Sequence, residues 1–145
     1  MSSNDEHDLN RFVDAQRTTY ASALAELRGG RKRSHWMWFV FPQLAGLGRS
    51  ATAKRYAIAS LAEAEAYLKH PVLGPRLIEC ATAVIDVEGR SAHEIFGSPD
   101  DSKVRSCATL FALVSAPGSV FSRLLETYFD GREDDQTLRL LGRSV

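Results

Sequence analysis

The sequence has no excess of charge of either sign and no long apolar run. Its 18 basic residues balance 18 acidic ones, whereas a non-specific nucleic-acid binder normally carries a strong basic excess. No stretch approaches the roughly 20 apolar residues that cross a bilayer. The first ten residues are polar and acidic, unlike the basic and then apolar pattern of a secretory signal peptide. We therefore expect a cytoplasmic protein without a membrane partner.

Cysteine is scarce, and the common metal and nucleotide motifs are absent. Cys80 and Cys107 lie in apolar helical patterns and form no Cys-x-x-Cys motif, so buried free thiols are favoured over a disulfide framework. None of the four histidines has another at the i, i+4 spacing of a helical metal site, and no metal is predicted. The sequence also has no Gly-x-Gly-x-x-Gly, Walker or Gly-x-Ser-x-Gly motif, which argues against Rossmann, P-loop and serine-hydrolase enzymes. No cofactor is predicted.

Helical periodicity runs through most of the chain. Apolar residues recur at i, i+3 and i+4 from Leu9 to Leu27, with Asp8 as the expected N-cap and Gln16 as a polar interruption. Ser91 and Glu94 have the spacing of a capping box. These patterns predict a mainly α protein: a single compact domain of about six to eight helices over residues 6–141. Residues 1–5 are expected to be disordered.

The aromatic run over residues 34–43 is the most unusual feature of the sequence. Both tryptophans and four of the thirteen aromatic residues lie there. We expect this one segment to be extended, which would place Trp36 and Trp38 on the same side. It is then either the core of a helix array or the wall of a ligand pocket, in which an aromatic ring stacks on a base. Polar Ser34, His35 and Gln43 flank the run.

A second candidate feature is the helix predicted to begin at Ser98. Its N-terminus is suited to an anion, and three residues that could contact phosphate follow within two turns. They are Lys103, Arg105 and Ser106. Asp100 and Asp101 could instead cap the same N–H groups, which leaves a solvated charged face as the alternative.

Several motifs together resemble one protein family. The chain is similar to the proteins grouped as domain of unknown function 1810, over about residues 6–141. The most specific block is the His-Trp-Met-Trp-Phe of residues 35–39. The other matching segments are 9–16, 46–48, 70–74, 95–97 and 103–106.

The resemblance extends, at a distance, to the YbiA-like proteins, also called the NADAR group. That similarity implies a mainly α fold and chemistry linked to NAD and ADP-ribose, which in some members is hydrolysis of an N-glycosidic bond. Ala15-Gln16 is similar to an Ala-Gln pair in the corresponding helix of that group. The catalytic acid of the group has no counterpart here, so its catalytic residues are not carried over.

These observations give three hypotheses for one pocket formed by the first helix, the 34–43 segment and the helix at Ser98. The first is an N-glycoside hydrolase that acts on an ADP-ribose-linked or nucleotide-derived molecule, with Asp8 or Asp100 as the catalytic carboxylate. The second is a non-catalytic nucleotide sensor, with nucleic acid possible but not favoured. The third is a structural or protein-interaction domain. The expected ligand-binding residues are Gln16, Ser34, His35, Trp36, Trp38, Phe41, Gln43, Lys103, Arg105 and Ser106.

Overall fold

The computed structural model describes residues 5–143, which fold into ten helices. The mainly α prediction is confirmed. There are more helices than the six to eight expected, because the predicted first helix is divided into α1 and α2 and part of the aromatic run forms α3. Apart from Asp5, the predicted disordered segment 1–5 lies outside the described residues. The helices are α1 Asn10–Gln16, α2 Tyr20–Arg28, α3 Met37–Val40, α4 Ala51–Arg55, α5 Leu61–Lys69, α6 Leu73–Ile85, α7 Ala92–Phe96, α8 Asp100–Ala112, α9 Val120–Phe129 and α10 Asp135–Leu140.

The predicted first helix is two helices, and Asp8 is not its cap. Asp5 takes that role, since its carboxylate accepts hydrogen bonds from the backbone N–H of Leu9 at 2.7 Å and of Asn10 at 3.0 Å. Asp8 has a φ of 50°, a left-handed conformation outside the helix. The chain leaves the helical path after Gln16, and α2 begins at Tyr20.

The aromatic run is not extended. Residues 37–40 form the single turn α3, in which the N–H of Val40 bonds to the carbonyl of Trp36 at 3.2 Å. Trp36 is the N-cap of α3 and Trp38 lies within the turn, so the strand alternation expected for this pair is absent. Trp36 is buried and Trp38 is half-buried. Within residues 5–143, β-type pairing is limited to one parallel bridge between Leu44 and Ile58.

The core lies around α9, which packs against both α6 and α8, and α5 also packs against both of these helices. Buried aromatic rings link these helices: Tyr67 meets Phe12 edge-on at 5.1 Å between ring centroids and Phe111 at 5.4 Å. The aliphatic face of α6 and nearly the whole of α8 after Lys103 are buried. Burial of this kind contributes about 25 cal/mol per Å² of apolar surface and fixes the position of α8.

Local capping signals place the shorter helices as expected. The Ser91–Glu94 capping box is formed in full. Asp134 caps α10, and its carboxylate accepts a hydrogen bond from the N–H of Thr137 at 2.9 Å. No helix in the described part of the chain is long and apolar enough to cross a membrane.

Candidate functional site

An open cleft of about 300 Å³ lies beside the first turns of α8. One wall comes from the loop before α4, a second from α8, and a third from the start of α10. A narrow crevice of about 10 Å³ adjoins it and reaches Trp38 and Tyr56. The residues that line the main cleft are Gln43, Leu47, Gly48, Pro99, Ser102, Lys103, Ser106, Asp134 and Gln136.

Gly48 brings the first wall close to α4. A Cβ atom at this position would lie only 2.4 Å from the Cβ of Ala53, far inside van der Waals contact. The loop therefore packs against α4 only with glycine here, and Gly48 lines both the cleft and the crevice.

Lys103 supplies the positive charge of the cleft. Its Nζ lies 3.5 Å from Oδ1 of Asp100 and 5.6 Å from the ring centroid of Trp38. The other oxygen of Asp100, Oδ2, forms a closer ion pair of 2.9 Å with Lys32. Lys32 in turn lies 5.3 Å from the Trp36 ring. One carboxylate thus serves two ammonium groups, so these three side chains together carry one net positive charge.

Gln43 and Ser106, both expected as ligand-binding residues, are hydrogen-bonded to each other in the lining of the cleft. The amide Nε2 of Gln43 donates to Oγ of Ser106 at 2.7 Å, and this hydroxyl donates to the carbonyl of Lys103 at 3.1 Å. Ser106 is buried, with 2% of its surface exposed. Its hydrogen is already used, so Ser106 shapes the cleft floor and holds Gln43 in place, with no proton left to donate to a ligand.

Asp134 and Gln136 line the cleft but were not among the expected site residues. Asp134 is the N-cap of α10, a local role that does not determine where this helix docks. The docking comes from α8: Thr109 Oγ1 accepts from the N–H of Asp134 at 2.8 Å. Arg105 donates to the carbonyl oxygens of Arg132 at 2.8 Å and Glu133 at 2.7 Å.

Those contacts correct the role expected for Arg105. Its guanidinium fastens the segment before α10 to α8 and does not line the cleft. The first turn of α8 is also less available to an anion than expected. The N–H of Asp101 bonds to the carbonyl of Gly97 at 2.9 Å, and that of Lys103 to the carbonyl of Pro99 at 3.3 Å.

Three expected ligand-binding residues are part of the core. Trp36 and Phe41 are each 1% exposed, and Gln16 is 2% exposed. Gln16 interrupts the apolar stripe because its amide cross-links four elements. Its Nε2 donates to the carbonyl of Phe39 at 2.6 Å and to the hydroxyl of Tyr67 at 3.3 Å, while its Oε1 accepts from Arg76 at 3.3 Å. None of the three lines a surface that a ligand reaches, except that Phe41 backs the narrow crevice.

Glu26 organises the start of the aromatic run, and no local motif marked it. Its carboxylate accepts from the N–H groups of Arg33 at 2.7 Å and Ser34 at 3.0 Å, from Ser34 Oγ at 2.6 Å and from Trp36 Nε1 at 2.9 Å. Partial burial raises the pKa of this carboxyl group, but the bonds from Ser34, Arg33 and Trp36 outweigh it and lower the pKa from 4.5 to about 2. Ser34 is therefore bound to Glu26, and exposed His35 lies outside the cleft lining.

The two candidate catalytic carboxylates do not meet in the cleft. Asp8 is exposed at the start of α1 and is not a lining residue. Asp100 lies next to the cleft, with both oxygens paired to lysines. Neither candidate therefore offers the cleft a carboxylate oxygen that is free of an ion pair.

In the described part of the chain, the two cysteine thiols are buried and no cluster of side chains suits a metal ion. Burial raises the pKa of Cys80 from 9.0 to about 12 and that of Cys107 well above its ordinary value. Both thiols are therefore protonated and are poor nucleophiles. Within residues 5–143, no three His, Cys, Asp or Glu side chains are grouped closely enough to hold a metal ion.

Comparison with known proteins gives a family but no activity. The family model described as "Protein of unknown function (DUF1810)" matches residues 6–141. The crystal structure of the conserved hypothetical protein Rv1873 from Mycobacterium tuberculosis is similar, with 56% identity and a TM-score of 0.94. The alignment covers 97% of this chain and 100% of that one. No curated protein matches.

Proposed function

The chain belongs to the DUF1810 family, and we propose that it binds a small phosphorylated, nucleotide-derived ligand in the cleft beside Lys103. The observation that carries the proposal is the position of Lys103, whose side chain is 25% exposed and lines the wall of the cleft. A hydrogen bond between an ammonium group and a phosphate oxygen is charge-assisted and contributes about 1.5–3 kcal/mol.

The charge arrangement around Lys103 supports an anionic ligand. Asp100 lies nearer to Lys32, at 2.9 Å, than to Lys103, at 3.5 Å. Asp100 therefore restrains the Lys103 side chain but leaves its ammonium group able to bind an anion. The contact of Lys103 with the Trp38 ring further restricts its side chain, which reduces the entropy that is lost when a ligand binds.

The dimensions of the cleft support a ligand of modest size. Small-molecule sites span about 300–1,000 Å³, and this cleft, of about 300 Å³, lies at the lower end. Leu47 and Pro99 offer apolar surface for a sugar or base. Trp38 borders only the crevice of about 10 Å³, so it supports Lys103 and does not stack on a base unless the crevice widens.

Binding is favoured over the hydrolytic form of this hypothesis. The distant resemblance to the NADAR group was the reason to consider cleavage of an N-glycosidic bond, and such cleavage needs a carboxylate that can reach the sugar. Asp8 does not line the cleft, and Asp100 is held by two lysines. A purely structural role, which predicts Lys103 on an open surface, is also less favoured because Lys103 lines the cleft.

Calorimetric titration with AMP, ribose 5-phosphate and ADP-ribose tests the proposal. Lys103→Gln should weaken the binding of each ligand about ten-fold or more, as expected for one charge-assisted hydrogen bond. Lys69→Gln is the matched control, since Lys69 is an exposed lysine on α5 with the same charge. Equal affinities of the two variants would refute the proposal.

The same samples separate binding from turnover. The protein is incubated with NAD and with ADP-ribosylated guanosine, and released base is measured by HPLC. The binding proposal predicts no release above a buffer control. If the wild type releases base and Lys103→Gln does not, the cleft is hydrolytic and the binding proposal is wrong.

A further inference from the structure

We infer that Asp134 is a specificity-determining residue that selects ligands carrying sugar hydroxyl groups next to their phosphate. The inference rests on the proposed function of the cleft and names the class of ligand that the site accepts. It depends on how the hydrogen-bonding capacity of three lining residues is already used.

The two oxygens of the Asp134 carboxylate have different environments. Oδ2 caps α10, accepting from the N–H of Thr137 at 2.9 Å and from its hydroxyl at 2.6 Å. Oδ1 accepts no hydrogen bond from any residue in the described range 5–143. A half-buried carboxylate that lines a cleft therefore has one oxygen available to a ligand.

Gln43 provides a second available acceptor on the facing wall. Its Nε2 is committed to Ser106, so the group that it presents is the carbonyl oxygen Oε1. Ser106 fixes this orientation because its own hydrogen goes to the carbonyl of Lys103. The cleft thus combines one cation with two acceptors that need donors.

A ligand that satisfies all three groups has an anionic end and a body with O–H donors. A sugar phosphate has both features in one molecule, since its phosphate can bind Lys103 and its hydroxyl groups can donate to Asp134 and Gln43. Inorganic phosphate meets only the cation. The set of unused groups therefore favours a sugar phosphate.

The N-cap role of Asp134 can be kept while its charge is removed. Asn and Ser are as good as Asp at this position of a helix, and both retain an oxygen for the N–H of Thr137. Thermal unfolding of each variant verifies that α10 is still docked. Asp135→Asn is the matched control, because Asp135 is exposed in the same first turn and does not line the cleft.

The measurement is the ratio of the affinities for ribose 5-phosphate and inorganic phosphate, determined by calorimetry on the full chain. The wild type should prefer ribose 5-phosphate about ten-fold or more, the factor expected from one charge-assisted hydrogen bond. Asp134→Asn and Asp134→Ser should both reduce this ratio to within a few-fold of one, and Asp135→Asn should leave it unchanged.

The outcomes separate the inference from the function on which it rests. If the wild type binds both probes equally, or if the Asp134 variants keep its preference, Asp134 does not select the ligand although phosphate binding at Lys103 stands. If neither probe binds the wild type, the proposed function fails and this inference fails with it.

Discussion

The indole Nε1 of Trp36 donates a hydrogen bond of 2.9 Å to Oε1 of Glu26. This bond fixes the start of the aromatic run against α2 and keeps the Trp36 ring in the core. The same carboxylate also holds the backbone of Arg33 and Ser34. The cleft-forming segment that follows, up to Gly48, therefore begins from an anchored point.

Glu26→Gln should destabilise the fold. The amide keeps one acceptor oxygen, but its NH₂ group cannot accept the hydroxyl of Ser34, and the charge assistance is lost. We expect the free energy of unfolding to fall by about 1.5–3 kcal/mol, measured by urea denaturation. Glu65→Gln is the control: Glu65 is exposed and forms only an i, i+4 pair with Lys69, so this change should have little effect on the unfolding free energy. A loss no larger than that of the control would contradict the anchoring role.

The contribution of Glu26 should depend on pH. Its pKa is lowered from 4.5 to about 2 in the folded chain, so the unfolded chain binds the proton more tightly. The stabilisation is complete above pH 4.5 and is lost as the pH falls through about 2. The difference in unfolding free energy between the wild type and Glu26→Gln should therefore shrink over this window. A difference that stays constant on acidification would show that the carboxylate is not the source of the stability.

Gln16→Leu should reduce stability without changing ligand binding. Removing the amide leaves the carbonyl of Phe39 and a donor of Arg76 without their buried partner. An unsatisfied buried polar group costs about 1–3 kcal/mol. Gln136→Leu, the same change at an exposed lining residue, should have little effect on chemical denaturation but should alter affinity. If Gln16→Leu weakened ligand binding and left stability unchanged, Gln16 would be a ligand-binding residue and not a core residue.

His70 should stabilise the start of α6. Its Nδ1 accepts from the N–H of Val72 at 3.1 Å and of Leu73 at 3.2 Å, which have no carbonyl partner within the helix. His70→Ala should lower the unfolding free energy by about 0.5–2 kcal/mol, as for the loss of an N-cap. His70→Asn restores an acceptor and should recover much of the loss. His93→Ala, at an exposed histidine, should leave the unfolding free energy almost unchanged. Equal losses for His70→Ala and His93→Ala would exclude a capping role of His70.

The features that sequence predicted are those set by neighbours along the chain. The capping box at Ser91 and the N-cap at Asp134 each depend on a residue three positions away, so their signals are readable. Position 36 is different: whether Trp36 is core or pocket depends on Glu26, ten residues earlier. The path of α3 also depends on Gln16, whose bond to Phe39 spans 23 residues.

The same distinction explains what was found and missed in the cleft. Lys103, Gln43 and Ser106 were expected because they flank the helix start and the aromatic run, and these three do meet. Asp134 enters the cleft because Arg105 holds the carbonyl of Arg132, 27 residues away. No local pattern at Arg105 or Asp134 marks this long-range contact. Arg105 was therefore expected to bind phosphate, and Asp134 was not expected in the site.

The most direct test of the central claim is to map AMP binding by NMR on uniformly labelled protein. Binding beside Lys103 predicts saturable shifts of backbone amide signals concentrated in residues 43–48, 99–106 and 134–136. It also predicts that Lys103→Gln raises the AMP concentration that saturates these shifts about ten-fold or more, while Lys69→Gln leaves it unchanged. Shifts centred instead on the groove lined by Arg28, Glu79 and Asp86, or no saturable shift at any amide, would contradict the account.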